Sequence, residues 1–297
     1  MPVYDYATKF ESMLAQKYAA ASKSDALFNS NPAVTFLTAQ TIKLPRLTVS
    51  GYKDHSRATV GFNTGTVENA WDPKKLTFDR DIEFAIDPMD IDETNLTLAI
   101  ANIQNVFEDE QAIPERDAYA FSKLYSEYTT RAGQTADTTV LTAATLLEKF
   151  DDDMAAMDDA GVPEEGRILY CTAQQMKLIK EADGIDRSVI ISAPTGTVNR
   201  KVHSLDDVEL VTVPYGRLMT AYDFTEGFQP ATGAKQINHI LVHPSAVVAR
   251  QKYSYIKVFT PGADSRTADM YIYQNRRYMD LFLLASKADG VRMNVEA

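Results

Sequence analysis

The chain has 297 residues, of which 45% are hydrophobic and 24% are charged, a composition typical of a folded protein with a packed core. Its net charge of −11 disfavours specific binding to nucleic acid, because such affinity comes largely from Lys and Arg that neutralise phosphates. No apolar run approaches the roughly 18 residues of a membrane span, and the N-terminal MPVYDYATKF lacks a signal pattern. We therefore expect a protein that is made and kept in a cytoplasm, with no membrane partner.

Residues 1–40 are predicted to form an arm that packs against another surface. The stretch FESMLAQKYAAASKSDALF has the spacing of an amphipathic helix, with Phe10, Leu14 and Tyr18 on one side. After it, NSNPAVTF breaks the helical pattern. This region is therefore not expected to begin a compact core.

Residues 41–87 are predicted to be an extended loop with flanking strands. TIKLPRLTV indicates one strand, and LTFDRDIEFAI alternates apolar and polar residues as a half-buried strand does. Between them, SGYKDHSRATVGFNTGTVENAWDPKK is polar, contains glycines and has little apolar surface to bury. A loop of this length is unusual in a compact domain and is usually functional or disordered. We expect its order to come from a partner, because the loop cannot offset the entropy cost of ordering by itself.

A helical pattern runs over residues 93–128 and has Pro114 near its middle. Leu96 begins the apolar side before the proline, and Phe121 continues it afterwards. At 1.5 Å per residue the whole span would be about 54 Å long, more than a compact globule needs. Pro114 removes a hydrogen bond and is predicted to kink this helix. Two separate helices divided at 111–113 are the alternative.

The remainder of the chain has the alternating strands and helices of a mixed α/β region, followed by apolar strands. Helices are predicted for VLTAATLLEKFDDDMAAM and AQQMKLIKEA, and strands for RILYCT, VELVTVP and INHILVHP. The final predicted strands are YSYIKVF, MYIYQNRRY and MDLFLLA.

No motif for catalysis or metal binding stands out. Cys171 lies in an apolar run and is interpreted as a core residue. His239 and His243 fall on a predicted strand, where their rings would be about 13 Å apart and could not share a metal. The acids of DDDMAAMDD lack the spacing of a calcium loop and are predicted to face water. We expect no cofactor, although a cytosolic α/β enzyme with an acidic site stays open as an alternative.

Several stretches, in order along the chain, carry a resemblance to one family. IPERDAYAFSKL is similar to the middle of a long spine helix, and LTFDRDIEFAIDPMDIDETN is similar to the return from an extended loop into that helix. VPEEGRILYCTAQQMKLIKEA resembles the start of an axial domain. INHILVHPSAVVARQK, with IKVFTPG and RRYMDLFLLASKADGV after it, resembles a segment that re-enters a peripheral domain. The family is that of tailed-bacteriophage major capsid proteins with the HK97-like fold, and the resemblance covers roughly residues 40–297.

The resemblance implies an α+β, HK97-like capsid fold. Its expected parts are an N-terminal arm (1–40), an extended β-hairpin loop or E-loop with flanking strands (41–87), a peripheral domain with the long kinked spine helix (88–139), an α/β axial domain (140–243) and a return to the peripheral domain (244–297).

The resemblance also implies a function. Such a protein is a non-enzymatic major capsid protein whose copies form pentamers and hexamers, the fivefold and sixfold rings of an icosahedral shell around double-stranded DNA. A portal and a separate scaffolding protein are expected as further partners. The expected location is the virion capsid, with assembly in the host cytoplasm. An encapsulin-like bacterial compartment shell is the alternative.

In this family the extended loop lies over a neighbouring subunit, so its residues are candidate contacts. Aromatic side chains dominate interface energetics, and basic ones can dock on an acidic neighbour. The candidate intersubunit contacts are Tyr52, Lys53, Arg57, Phe62, Trp71, Lys74 and Lys75. Deleting 52–70 is expected to leave a folded subunit that does not assemble. Acids along the predicted helix are expected to face either packaged DNA or water.

Overall fold

The computed structural model describes residues 21–28, 41–55, 61–93, 100–130, 134–182, 191–192, 197–198, 202, 204–263 and 269–297. Structural statements below concern these residues. The predicted arm over 1–40 lies outside them except for 21–28.

The α-helices of this part are α1 (Asp25–Phe28), α2 (Pro88–Glu93), α3 (Ile100–Phe107), α4 (Ile113–Thr129), α5 (Leu146–Asp159) and α6 (Ala173–Glu181). A π-helix, Glu108–Ala112, joins α3 to α4. The strands are β1 (Thr41–Val49), β2 (Val67–Lys75), β3 (Phe78–Ile86), β4 (Ile168–Thr172), β5 (Ile191–Ser192), β6 (Thr197–Val198), β7 (Ser204–Leu205), β8 (Val208–Val213), β9 (Tyr222–Asp223), β10 (Gln229–Pro230), β11 (Ile237–Val242), β12 (Val247–Phe259), β13 (Tyr271–Leu283) and β14 (Val291–Val295).

Strands β1 and β2 form a two-stranded antiparallel sheet of their own. The register runs from Thr41 opposite Lys75 to Val49 opposite Val67. The predicted strand TIKLPRLTV is therefore confirmed. The prediction was wrong for its partner, because VENAWDPKK was assigned to the polar loop and is β2 instead.

A three-stranded antiparallel sheet has the order β12-β13-β3. Side chains of β3 alternate between buried or half-buried and exposed along the strand, which confirms the predicted half-buried strand. The predicted YSYIKVF lies within β12, and the two predicted strands MYIYQNRRY and MDLFLLA are one continuous strand, β13.

A five-stranded sheet has the order β14-β11-β4-β8-β7, with β4 and β8 parallel and the other pairs antiparallel. The predicted helices α5 and α6 and the predicted strands β4, β8 and β11 are confirmed. The last strand, β14, pairs with β11. Residues 291–295 therefore join the α/β sheet, although they were predicted to return to the peripheral domain.

The long helix runs without a break from Ile100 to Thr129, with its middle turn in π geometry. Two separate helices divided at 111–113 are excluded, since both Ala112 and Ile113 are in the right-handed helical region. The side chains of Phe121 and other α4 residues are buried in a core shared with β4, β11, β12, β13 and β14. This helix therefore ties the two larger sheets together.

The side chains that were considered for catalysis or metal binding have the surroundings of structural residues. Cys171 is buried, and burial raises the pKa of its thiol to about 12. His239 is buried and its Nε2 lies 3.1 Å from an Asp153 carboxylate oxygen. The prediction that all acids of DDDMAAMDD face water was therefore wrong for Asp153, although Asp151 and Asp152 are exposed. Within the described ranges, no three metal-ligating side chains cluster. None of the helices there is long and apolar enough to cross a membrane.

Candidate assembly interface

The two most exposed large apolar side chains of the described residues, Tyr52 and Phe62, lie on one projecting element. We call β1, β2 and the tip between them (residues 50–66) the contact hairpin. Tyr52 and Phe62 at the tip are fully exposed, and Trp71 on β2 is 55% exposed. Leu47 and Val67 on the strands are also exposed. Exposed apolar residues on one element are typical of interaction surfaces, because water disfavours them, so the contact hairpin is the candidate for one.

The tip has its own hydrogen bonds. The Asn63 side-chain amide donates to the carbonyl oxygens of Lys53 at 3.2 Å and Asp54 at 2.8 Å. The Thr66 amide donates to Ser50 Oγ at 2.9 Å. Gly61 has a φ of +111°, which side chains rarely tolerate. These contacts join the two sides of the tip within the described residues.

The base of the contact hairpin packs against the core. Ile42 and Leu76 are buried against Val248 of β12 and Phe282 of β13. Leu76 lies in the short connection between β2 and β3. The hairpin is therefore fixed at one end by apolar packing, while its tip and much of its strands remain available to another surface.

A buried carboxylate reinforces this base. Asp280 on β13 accepts hydrogen bonds from the Thr77 amide at 2.8 Å, the Thr77 hydroxyl at 3.1 Å and the Tyr119 hydroxyl at 2.7 Å. Its own neighbour, Leu281, donates a backbone amide at 2.8 Å. Burial and the Asp280 charge raise the pKa of Tyr119, so its hydroxyl stays protonated and donates. These hydrogen bonds of Asp280 link the hairpin base to α4. No motif in the sequence predicts them.

The predicted contact residues do not all have the same surroundings. Lys74 is half-buried and forms ion pairs within its own chain, with Glu127 at 3.7 Å and Asp72 at 3.9 Å. Lys74 therefore helps to hold the base of the hairpin, and its contact with a neighbour also stays a prediction. Tyr52, Lys53, Phe62, Trp71 and Lys75 are exposed on the hairpin, and their contact with a neighbour stays a prediction. Arg57 lies outside the described residues.

The helix accommodates Pro114 through the π turn that precedes it. The Ile113 amide donates to the Glu108 carbonyl, five residues back. Pro114 has no amide hydrogen, and its ring would clash with the carbonyl four residues back in a regular helix. The wider π turn moves that carbonyl away. Pro114 therefore sits at the start of α4, and the predicted kink at this place stays a prediction.

Two acidic residues of the long helix bind basic residues of the same subunit. Glu108 accepts from Arg277 at 2.5 Å and from the Asn275 amide at 2.7 Å. Glu115 pairs with Arg80 at 2.7 Å, and burial raises the pKa of Glu115 against the effect of Arg80. The expectation that the helix acids face DNA or water was therefore wrong for these two carboxylates.

A second buried carboxylate holds the segment that precedes α1. Asp117 of α4 accepts from the backbone amides of Lys23 and Ser24 at 3.0 and 3.1 Å and from the Ser24 hydroxyl at 2.7 Å. Arg217 donates to the same carboxylate at 3.2 Å and also to the Ala21 carbonyl at 3.1 Å. Residues 21–24 are thus fastened to the long helix, a contact that sequence spacing gives no means to predict.

Comparison with known proteins shows which solved structures share this architecture. No protein-family model matches the sequence, and no curated protein matches it. Solved structures do match. The bacteriophage PhiM1 mature capsid has a TM-score of 0.68 at 11% identity, covering 98% of this chain and 91% of that one. The capsid structure of cyanophage P-SCSP1u gives 0.65 at 13% identity, covering 98% and 93%. A structure from Mycobacterium phage Che8 gives 0.64 at 13% identity, covering 97% and 96%.

These matches extend over nearly the whole chain, so they compare complete architectures and not a shared fragment. The protein has the fold of phage capsid structures, which confirms the predicted α+β capsid fold.

Proposed function

We propose that this protein is the major capsid protein of a tailed bacteriophage. Its copies self-assemble through fivefold and sixfold rings into an icosahedral shell that encloses double-stranded DNA. The observation that carries the proposal is the match to phage capsid structures over nearly the full length of this chain and of theirs. The role is structural and not enzymatic.

The contact hairpin supports self-assembly on physical grounds. A projecting element with exposed Tyr52, Phe62 and Trp71 is an unfavourable feature of an isolated subunit. Covering these side chains with an identical neighbour removes apolar surface from water. In a closed ring each copy both gives and receives such a contact, so modest single contacts add up to a stable assembly.

We also propose which elements form the peripheral and axial parts of a capsid subunit. The three-stranded sheet with α3, the π turn and α4 would form the peripheral part, and the five-stranded sheet with α5 and α6 would form the axial part. The long helix packs into the core that both sheets share. This arrangement suits a shell subunit that contacts neighbours through both parts.

Enclosure of DNA needs no specific binding surface on this chain. The net charge of −11 disfavours adhesion to phosphates, and such adhesion would hinder the movement of packaged DNA. We propose a portal and a separate scaffolding protein as further partners. The mature location would be the virion capsid, with assembly in the host cytoplasm.

Electron microscopy of the full chain expressed alone tests the proposal. We expect closed shells or ring-shaped oligomers of uniform size. A chain that stays monomeric at high concentration, with or without a co-expressed scaffold, would contradict the proposal. Shells from the native source that hold an enzyme in place of DNA would favour the encapsulin-like alternative.

A further inference from the structure

A cleft of about 290 Å³ lies between the long helix and the three-stranded sheet. Its sheet side consists mainly of alternate residues of β3 and β13, since every second side chain of a strand lies on the same face. Its helix side comes from the end of α3, the π turn and the first turn of α4. The volume is close to the lower end, about 300 Å³, of the range for small-molecule sites. The lining residues that matter most here are Phe78, Arg80, Phe84, Phe107, Ala112 and Arg277.

Aromatic side chains form the apolar part of the cleft. Phe84 of the sheet meets Phe107 of the helix edge to face, with ring centroids 5.6 Å apart. Both rings are only half-buried. Phe78 lines the cleft next to the buried Met279 of the paired strand. A flat ring bound here would meet aromatic edges and faces and would remove apolar surface from water.

Two arginines form the polar part of the cleft. Arg80 on β3 lies directly opposite Arg277 on β13, an arrangement of like charges that would destabilise a sheet by itself. Each arginine has one carboxylate from the helix side. Glu115 lies 2.7 Å from Arg80, and Glu108 lies 2.5 Å from Arg277. These ion pairs hold both guanidinium groups in place between the sheet and the helix.

One donor of this polar part has no acceptor. The Nε of Arg277 is buried and has no hydrogen-bond partner among the residues that the structure describes. A buried donor without an acceptor is unfavourable, so this N–H favours an acceptor supplied by a ligand. A carboxylate suits it best, because a guanidinium group binds carboxylate oxygens with strong, charge-assisted hydrogen bonds. Gln111, which also lines the cleft, is exposed, so the cleft can be reached from water.

We propose that this cleft binds a small aromatic carboxylate. The ring of the ligand packs beside Phe84 and Phe107, and its carboxylate accepts a hydrogen bond from Arg277 Nε. Because such a ligand contacts both the π turn and the sheet, it stabilises the long helix against β3 and β13. The inference goes beyond the proposed shell function and does not rest on it.

Isothermal titration calorimetry of the full chain with naphthoate tests the site. Naphthamide is the matched probe, since it has the same rings and a neutral amide in place of the carboxylate. We expect saturable binding of naphthoate at one site per chain. Its affinity should exceed that of naphthamide by about tenfold or more, because hydrogen bonds between charged groups are stronger than those to a neutral partner. Naphthoate should also raise the temperature of thermal unfolding more than naphthamide does.

Two variants change the cleft itself. Ala112→Phe fills it from the helix side and is expected to abolish naphthoate binding. Arg277→Lys keeps a cation beside Glu108 but removes the Nε–H, so it should weaken naphthoate binding by about tenfold and leave naphthamide binding little changed. Ala155→Phe is the matched control for the first variant, because Ala155 is exposed on α5, and it should bind like the wild type. Thermal unfolding without ligand checks that each variant folds.

Each outcome supports or overturns the site. Naphthoate binding that Ala112→Phe abolishes and Ala155→Phe keeps would support it. A folded wild type without saturable binding would overturn it, and so would equal affinities of the wild type and a folded Ala112→Phe variant. Should Ala112→Phe not fold, Arg277→Lys decides, since an unchanged preference for naphthoate over naphthamide would overturn the assignment of the carboxylate. None of these results bears on the capsid function, which electron microscopy tests separately.

Discussion

Replacing Asp280 by Ala should loosen the base of the contact hairpin. The carboxylate is buried and accepts hydrogen bonds from two Thr77 groups, from Tyr119 and from the Leu281 amide. Truncation leaves the two amides and the tyrosine hydroxyl without their acceptor. A buried unsatisfied donor costs about 1–3 kcal/mol. Because the sites are coupled and not additive, we expect a total loss of about 3–5 kcal/mol in the free energy of unfolding.

Urea unfolding of the unassembled subunit measures this loss, and hydrogen exchange at the Thr77 amide shows whether it is local to the hairpin base. Two variants calibrate the result. Tyr119→Phe removes one donor and its bond, so it should cost only about 1 kcal/mol. Asp280→Asn keeps one acceptor oxygen and should fall between the other two. An Asp280→Ala subunit as stable as the wild type within about 0.5 kcal/mol would refute the reasoning.

Three further outcomes are expected. Asp117→Asn should weaken the attachment of residues 21–24 to α4 and lower the free energy of unfolding by about 2–4 kcal/mol, because Arg217 loses its buried charged partner. Limited trypsin digestion should then cut faster after Lys23. Unchanged digestion would count against the role of Asp117 in holding this segment. Pro114→Ala should change stability by less than about 1 kcal/mol, since the π turn already accommodates the proline ring and its missing amide hydrogen, and a larger change in the free energy of unfolding would mean that the π turn depends on proline. Burial alone would raise the pKa of Asp137, but hydrogen bonds from Thr139 and Asn294 and the Lys149 charge lower it overall. Ionised Asp137 therefore stabilises the fold at neutral pH, and this contribution should be lost as the pH falls through the lowered pKa of the carboxyl. Urea titrations of Asp137→Asn should converge with the wild type at low pH, and a constant difference would refute the assignment.

Elements with a local pattern were predictable from the sequence. The apolar alternation of β3, the helical spacing of α5 and the buried run of β4 each need only neighbouring residues to be recognised. The strand β2 was missed because VENAWDPKK is polar and contains a proline, a composition that strands usually avoid. Its structure comes from β1, to which it pairs in register over nine residues.

The sequence predicted where the candidate interface lies, but it did not predict the long-range contacts that support it. The exposed aromatic residues of the hairpin were predicted because a long polar loop has nothing of its own to bury. Asp280 meets Thr77 across 203 positions of sequence, and Asp117 meets Ser24 across 93. Tyr253 of β12 and Asp81 of β3 lie on strands that are joined through β13. Such contacts depend on sheet order, and no spacing rule within one strand encodes it.

The central claim is that the contact hairpin joins identical copies. Sedimentation velocity of the wild type beside a trimmed variant tests it most directly. Val49 and Val67 face each other in register, so residues 50–66 can be replaced by Asn-Gly, the two-residue turn that best closes an antiparallel pair. The account predicts large closed assemblies for the wild type and a folded, unassembled subunit for the trimmed chain. Assemblies of equal size and yield from both chains would contradict it.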